Sequence, residues 1–235
     1  REWIGATERR VAWLSLDEGD NEPSQFLRYL STTLQQAGAR GDQAAAAEPH
    51  SGLPHDRLVA LINDLTQTRA DLLLVLDDYH AIRAFAVHDL VAFLLAQQPP
   101  GLHLVIGTRE DPPLPLARLR ARDQVTEIRE AALRFTTEEA AAFLAQTMHL
   151  NITSAASAAL ASRTEGWITG LQLAGLALRQ RGDGVEDARA AADFVAAFAG
   201  DDRFIVDYLM AEVLERAPAP LRDFLRKTAI LDRLC

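Results

Sequence analysis

Cysteine and long apolar runs are both scarce in this sequence. The single cysteine, Cys235, excludes an internal disulfide framework and a cysteine-based zinc site, which suits a reducing compartment. Apolar stretches such as LLLVL at residues 72–76 are far shorter than the ~18 to 20 residues that span a bilayer, and no segment resembles a signal peptide. We therefore expect a cytoplasmic protein without membrane contact or redox chemistry.

Positive charge is also in short supply. Lys and Arg number 24 against 33 Asp and Glu, and the resulting net charge of -9 repels nucleic-acid phosphates and anionic membranes. The closest approach to a basic cluster is Arg118, Arg120 and Arg122, but Asp123 follows at once. These arginines either lie on a solvated loop or helix face or form a cationic site that has a function.

Two catalytic motifs are absent. Without GxSxG there is no support for an α/β-hydrolase, and without GxxxxGK[ST] the chain lacks the loop whose amides and lysine cradle nucleotide phosphates. Arg1 begins a short apolar segment that leads into the first predicted strand. This is the order expected if a phosphate-binding loop and its helix lay just upstream. We therefore expect this piece to bind nucleotide poorly by itself.

The first half of the chain alternates between predicted strands and helices, and 49% hydrophobic content is typical of a globular core. Short continuous apolar runs predict strands covered on both faces, and the helical spacing between them predicts crossover helices. This pattern indicates an open, mostly parallel α/β sheet. The predicted strands are residues 11–16, 72–76, 102–107 and, more weakly, 124–128. One predicted helix is capped by Ser24, and two others cover about 55–69 and 86–97.

The composition changes after Phe135. Thr136 or Thr137 with Glu138 or Glu139 predicts a capping box, and Ala/Leu-rich helical spacing continues downstream. A polar stretch near 181–187 is a candidate hinge, and further helices are predicted at about 204–214 and 220–231. The predicted boundaries are an α/β domain at 1–131, a helical domain at 132–182 and a linker at 183–200. Residues 201–235 are predicted to be the first part of another domain.

Two acids stand at the end of the LLLVL strand. Carboxyl ends of parallel strands face the ligand crevice, so Asp77 and Asp78 should project where a ligand sits. In nucleotide-hydrolysing proteins such acids hold Mg²⁺ and polarise the attacking water. Asp77 is the candidate metal ligand and Asp78 the candidate catalytic residue. The competing interpretation is that the pair caps the next helix or solvates a loop.

The next strand ends in Gly107, Thr108 and Arg109. Thr108 supplies a hydroxyl and Arg109 a planar cation that binds phosphate in a bidentate manner, so both are candidate nucleotide-binding residues beside the acids. The alternative is an Arg109 that pairs with Glu110 or Asp111.

Together these segments resemble the large ATP-dependent LuxR-type transcriptional regulators, the maltose-regulon activator class of STAND NTPases. The resemblance covers nearly the whole chain and rests on VAWLSLDEGDNEPSQFLRYL, LLLVLDDYHAI, LHLVIGTRE, LRARDQVTEIREAALRFTTEEA and EGWITGLQLAGLAL in that order. It implies that LDDYH is the Walker B strand, with Asp77 and Asp78 as its acids, and that Thr108 and Arg109 stand on the sensor strand.

The resemblance also implies the architecture and the activity. The expected fold is a P-loop NTPase-like parallel sheet with helices on both faces, followed by an all-α helical domain and, from about residue 201, the start of a winged-helix domain. The family uses ATP, ADP and Mg²⁺ to switch between a closed monomer and an open oligomer, with slow hydrolysis, and responds to an inducer. DNA binding is implied for a C-terminal helix-turn-helix of the whole protein. Trp167 and Gly166 match a nucleotide-contacting turn without its proline, and Trp167 is read as core or as a ligand contact.

Two functions remain open on the sequence. One is the central ATP-binding switch module of a transcriptional regulator, and the other is a non-enzymatic interaction scaffold with a degenerate NTPase fold. An upstream GxxxxGK[ST] distinguishes them. Because a sheet without its phosphate-binding strand exposes apolar surface, some self-association of this chain is expected.

Overall fold

The computed structural model describes residues 9–38, 53–68, 71–150, 152–180, 195, 203–214 and 219–229. The chain divides into two compact units, Arg1–Thr126 and Glu127–Cys235. The expected loop at 37–54 lies largely outside the described residues, and the candidate hinge at 181–187 lies wholly outside them. The assignment of a helical and a winged-helix domain stays a prediction.

The first unit is built on a parallel sheet of three strands in the order β1, β2, β3. These are β1 (Arg10–Ser15), β2 (Leu72–Asp77) and β3 (Leu102–Ile106). Leu14 pairs with Leu76, which pairs with Ile106, so all three strands reach the same edge of the sheet. The predicted parallel α/β sheet is confirmed.

Helices connect the strands of the first unit and cover one apolar row of β2. Leu72, Leu74 and Leu76 alternate along the strand and join the helices in one buried cluster. Each such leucine stabilises the fold by roughly 1.5–3 kcal/mol. The helices are α1 (Pro23–Gln36), α2 (Pro54–Thr68), α3 (Phe85–Ala96) and α4 (Leu116–Ala121), with 3-10 turns at Glu18–Asn21 and Tyr79–Ala81.

Two local predictions are wrong. Ser24 does not cap α1; the cap is Glu22, whose carboxylate accepts hydrogen bonds from the N–H groups of Ser24 at 3.0 Å and Gln25 at 2.6 Å. With Pro23 at the first helical position, the helix begins two residues earlier than a Ser24 cap would place it. Residues 124–128 form no strand, because Ile128 is 68% exposed and cannot supply the buried face that a central strand needs.

The second unit is helical in all of its described elements. The predicted capping box is confirmed: Thr136 Oγ1 accepts from Glu139 N–H at 3.2 Å, and the Glu139 carboxylate accepts from Thr136 N–H at 2.8 Å. The helices are α5 (Glu130–Leu133), α6 (Thr137–Ala142) with a π-helical turn at Phe143–Thr147, α7 (Ser154–Arg163), α8 (Ile168–Gln180), α9 (Arg203–Leu209) with a π-helical turn at Met210–Leu214, and α10 (Ala219–Thr228). In the described part of the chain, no helix has the length and apolarity to cross a membrane.

Candidate functional site at the carboxyl ends of the strands

Backbone hydrogen bonds tie together the three loops that leave the sheet at its carboxyl edge. Leu16 N–H donates to the Asp77 carbonyl at 3.0 Å, which joins the loop after β1 to the end of β2. Gly107 N–H donates to the Leu76 carbonyl, and Tyr79 N–H donates to the Gly107 carbonyl, both at 2.9 Å. The ladder therefore continues beyond the last paired residues of β2 and β3, and it fixes the turn that carries the two acids.

Asp77 is the last residue of β2, and its half-buried side chain lies against Gly107. Its Oδ1 accepts a hydrogen bond from the Asp78 N–H at 3.1 Å. A Cβ atom added to Gly107 would lie only 2.8 Å from this oxygen, so the carboxylate occupies space that a glycine leaves open. Gly107 was not predicted to have a role, although a glycine directly after a buried strand is a signal of close approach between backbone and a neighbouring group.

Asp78 is exposed and has a left-handed backbone, with φ 56° and ψ 36°. Its Oδ1 lies 3.9 Å from Nδ1 of His80, a contact that becomes an ion pair when the imidazole is protonated. Asp78 makes no side-chain cap, and α3 has Ala84 at its N-cap. The helix-capping interpretation of the two acids therefore fails for α3.

Thr108 and Arg109 leave β3 immediately after Gly107, and both are exposed. Thr108 Oγ1 donates to the Glu110 carbonyl at 2.9 Å, so its hydroxyl helps to shape the loop. Because Gly107 is bonded to both Leu76 and Tyr79, this loop and the acidic turn share one edge of the sheet. The register thus brings all four sequence-predicted site residues to the carboxyl edge.

A buried polar pair lies behind the acidic turn. The Tyr79 hydroxyl is 3.0 Å from Nδ1 of His88, and the two residues are 1% and 5% exposed. Burial raises the pKa of Tyr79 and lowers the pKa of His88, because both charged forms lose hydration. Both side chains are therefore neutral near pH ~7. Sequence reasoning missed this pair, whose members are nine residues apart across a turn.

The turn at residues 165–167 connects α7 to α8 and packs against the backbone of Phe135. Gly166 has φ 72°, and a Cβ there would lie 2.4 Å from the Phe135 carbonyl oxygen. The Phe135 N–H donates to the Gly166 carbonyl at 2.9 Å. Trp167 is 38% exposed, and its ring centroid lies 5.6 Å from that of Tyr208. Trp167 is therefore a partly exposed aromatic packed on α9 rather than a fully buried core residue.

A parallel sheet with strand-end acids and crossover helices, followed by a helical unit, is a P-loop NTPase-like α/β fold. No protein-family model matches the chain. The HTH-type transcriptional regulator MalT of Klebsiella pneumoniae subsp. pneumoniae is 35% identical over 233 residues, which cover 96% of this chain and 25% of the relative. MalT of Klebsiella pneumoniae strain 342 is 36% identical over the same shares. The chain is homologous to these HTH-type transcriptional regulators and spans about a quarter of their length.

Proposed function

We propose that this chain is the central ATP-binding switch module of a cytoplasmic LuxR-type transcriptional regulator. The observation that carries the proposal is the position of Asp77, at the carboxyl edge of a parallel sheet and against Gly107 of the neighbouring strand end. Ligands of open α/β sheets bind in the crevice at this edge. The homology to regulators named HTH-type supports the regulatory setting.

The two acids suit Mg²⁺ bound to a nucleotide. Mg²⁺ prefers hard oxygen ligands and is held by one or two carboxylates together with substrate phosphates. The half-buried Asp77 carboxylate, in the space left by Gly107, would hold the metal, which supplies charge neutralisation of the phosphates. Asp78, exposed on the following turn, would accept a proton from the attacking water.

Thr108 and Arg109 would detect the nucleotide from the adjacent loop. Arg109 is exposed, and its guanidinium stays charged at any working pH and matches phosphate geometry. The Thr108 hydroxyl, which donates to the Glu110 carbonyl, would hold the loop that presents Arg109. The guanidinium of Arg109 favours ATP over ADP, because the terminal phosphate provides the extra anionic oxygens.

A nucleotide switch requires a ligand that binds two conformations with different affinity. ATP and inducer would favour an open oligomer that activates transcription, and slow hydrolysis to ADP would restore the closed state. DNA would be bound by the helix-turn-helix that the relatives' name records, rather than by this acidic chain. The chain by itself would bind ATP poorly, because its sequence contains no phosphate-binding loop.

Calorimetric titration of Mg²⁺-ATP and Mg²⁺-ADP tests this proposal. The 235-residue chain is compared with the protein expressed from its complete coding sequence. Binding by the complete protein, and weak or no binding by the chain, is the expected result. Absence of binding by both would leave an interaction scaffold as the better function.

A further inference from the structure

Asn21 joins two loops at the carboxyl edge of the sheet. Its Oδ1 accepts hydrogen bonds from the backbone N–H groups of Arg83 at 2.6 Å and Ala84 at 2.8 Å. Its Nδ2 donates to the carbonyl oxygens of Glu18 and Ala81, each at 3.0 Å. The amide oxygen meets two donors and the amide nitrogen meets two acceptors, so the network fixes the orientation of the side chain.

The segment that Asn21 holds leads directly into α3. Ala84 occupies the N-cap of α3, and alanine has no side-chain acceptor for the N–H groups of a helix entry. The single Oδ1 atom of Asn21 accepts two N–H groups of this entry, from residues that lie 62 and 63 positions further along the chain. The loop after β1 therefore determines where α3 begins.

The turn between β2 and α3 also carries Asp78, whose backbone is in the left-handed conformation. Non-glycine residues keep such a conformation only where the surrounding structure holds it. At one end, Tyr79 is buried and its N–H is bonded to the Gly107 carbonyl at 2.9 Å. At the other end, the Ala81 carbonyl accepts from Asn21. The acidic turn is thus held on both sides, by β3 and by the loop after β1.

We propose that Asn21 is a positioning residue for the strand-end acids. By tying the loop after β1 to the turn between β2 and α3, it fixes the orientation in which Asp77 and Asp78 meet a nucleotide-bound divalent cation. Asn21 acts through the backbone of the turn rather than by contact with the metal. This inference rests on the proposed nucleotide function.

The Mg²⁺-dependent part of ATP affinity tests this role. In the protein expressed from its complete coding sequence, the Kd for ATP is measured by calorimetry with EDTA and with Mg²⁺. The ratio of the Kd with EDTA to the Kd with Mg²⁺ is compared between variants. Removing an outer-shell partner of a metal ligand lowers metal affinity by ~10-fold or more, so Asn21→Ala should lower this ratio by about that factor. Asn63→Ala, a change at an exposed asparagine of α2, is the matched control and should keep the wild-type ratio.

The ratio separates positioning from a merely structural role. Partial unfolding lowers the fraction of protein that binds but leaves the Mg²⁺ dependence of the folded fraction unchanged. If Asn21→Ala does not fold, Asn21→Asp keeps the two acceptor bonds, loses the two donor bonds and should still lower the ratio. A wild-type ratio in the folded variant would overturn the inference. A wild-type protein with no Mg²⁺-dependent ATP binding would overturn the proposed function itself, and the role of Asn21 with it.

Discussion

The hydroxyl oxygen of Tyr79 lies 3.0 Å from Nδ1 of His88, and both side chains are buried directly behind the turn that carries Asp77 and Asp78. Each of the two polar atoms is the hydrogen-bond partner of the other, in a buried position from which water is excluded. A buried polar pair of this kind stabilises one arrangement of its surroundings, because any other arrangement leaves a polar group without a partner. The pair therefore couples α3 to the acidic turn.

Tyr79→Phe should lower the free energy of unfolding by about 1–3 kcal/mol, because it leaves Nδ1 of His88 buried without its partner. Denaturant unfolding of the chain measures the change. Tyr29→Phe, at a tyrosine that is 41% exposed, is the control and should have almost no effect. Equal stability of the two variants would contradict the role assigned to the Tyr79–His88 bond.

His88 should make the fold sensitive to mild acid. Because burial lowers its pKa in the folded state below the unfolded value of about 6.5, the unfolded chain binds more protons as the pH falls through that value. The free energy of unfolding should therefore fall as the pH drops through about 6.5, and His88→Gln should flatten that part of the curve. An unchanged slope in His88→Gln would refute this explanation.

Gly107→Ala should disturb the proposed metal site while the fold persists. The new Cβ would lie 2.8 Å from Asp77 Oδ1, so the carboxylate has to move away. We expect a roughly 10-fold loss of Mg²⁺-ATP affinity, comparable to loss of an outer-shell partner, in the protein expressed from its complete coding sequence. A thermal melt of the same variant shows whether the fold is intact. A folded variant with wild-type affinity would mean that the Asp77 position does not matter for nucleotide.

Gly166→Ala should destabilise the second unit by about 2–4 kcal/mol, since it combines a positive φ with a Cβ that collides with backbone. Gly175→Ala is a useful comparison within α8, because its Cβ would meet Met148 Cε, the far end of a flexible side chain, at 2.9 Å. Helix propensity also favours alanine there. Unfolding monitored by circular dichroism should give a clearly lower free energy of unfolding for Gly166→Ala than for Gly175→Ala. Similar stabilities of the two variants would contradict the assigned role of the turn.

The elements that follow from local pattern were predictable from the sequence. The continuous apolar run of β2 indicated a strand covered on both faces, and the Thr136–Glu139 capping box indicated a helix start. The end of β2 also gave the position of Asp77 at the sheet edge, because parallel strands share a direction.

The features that depend on distant contacts were not predictable. Asn21 looked like one more polar residue of a turn, and only the folded chain brings it to Arg83 and Ala84. The weak strand at 124–128 failed for the converse reason: its β-forming residues find no buried face, and Ile128 remains exposed. Tertiary contacts determine whether such a segment becomes a strand, and they override its local β-propensity.

The most direct test of the account is whether Asp77 binds the metal of a nucleotide. Mg²⁺-ATP binding is measured by calorimetry for the protein expressed from its complete coding sequence and for two variants, Asp77→Ala and Asp71→Ala. Asp71 precedes β2 at the opposite end of the strand, where its carboxylate lies 3.2 Å from Arg9 Nε. We predict that Asp77→Ala loses the Mg²⁺-dependent affinity and that Asp71→Ala keeps it. Equal Mg²⁺-ATP affinity of wild type and Asp77→Ala would contradict the account.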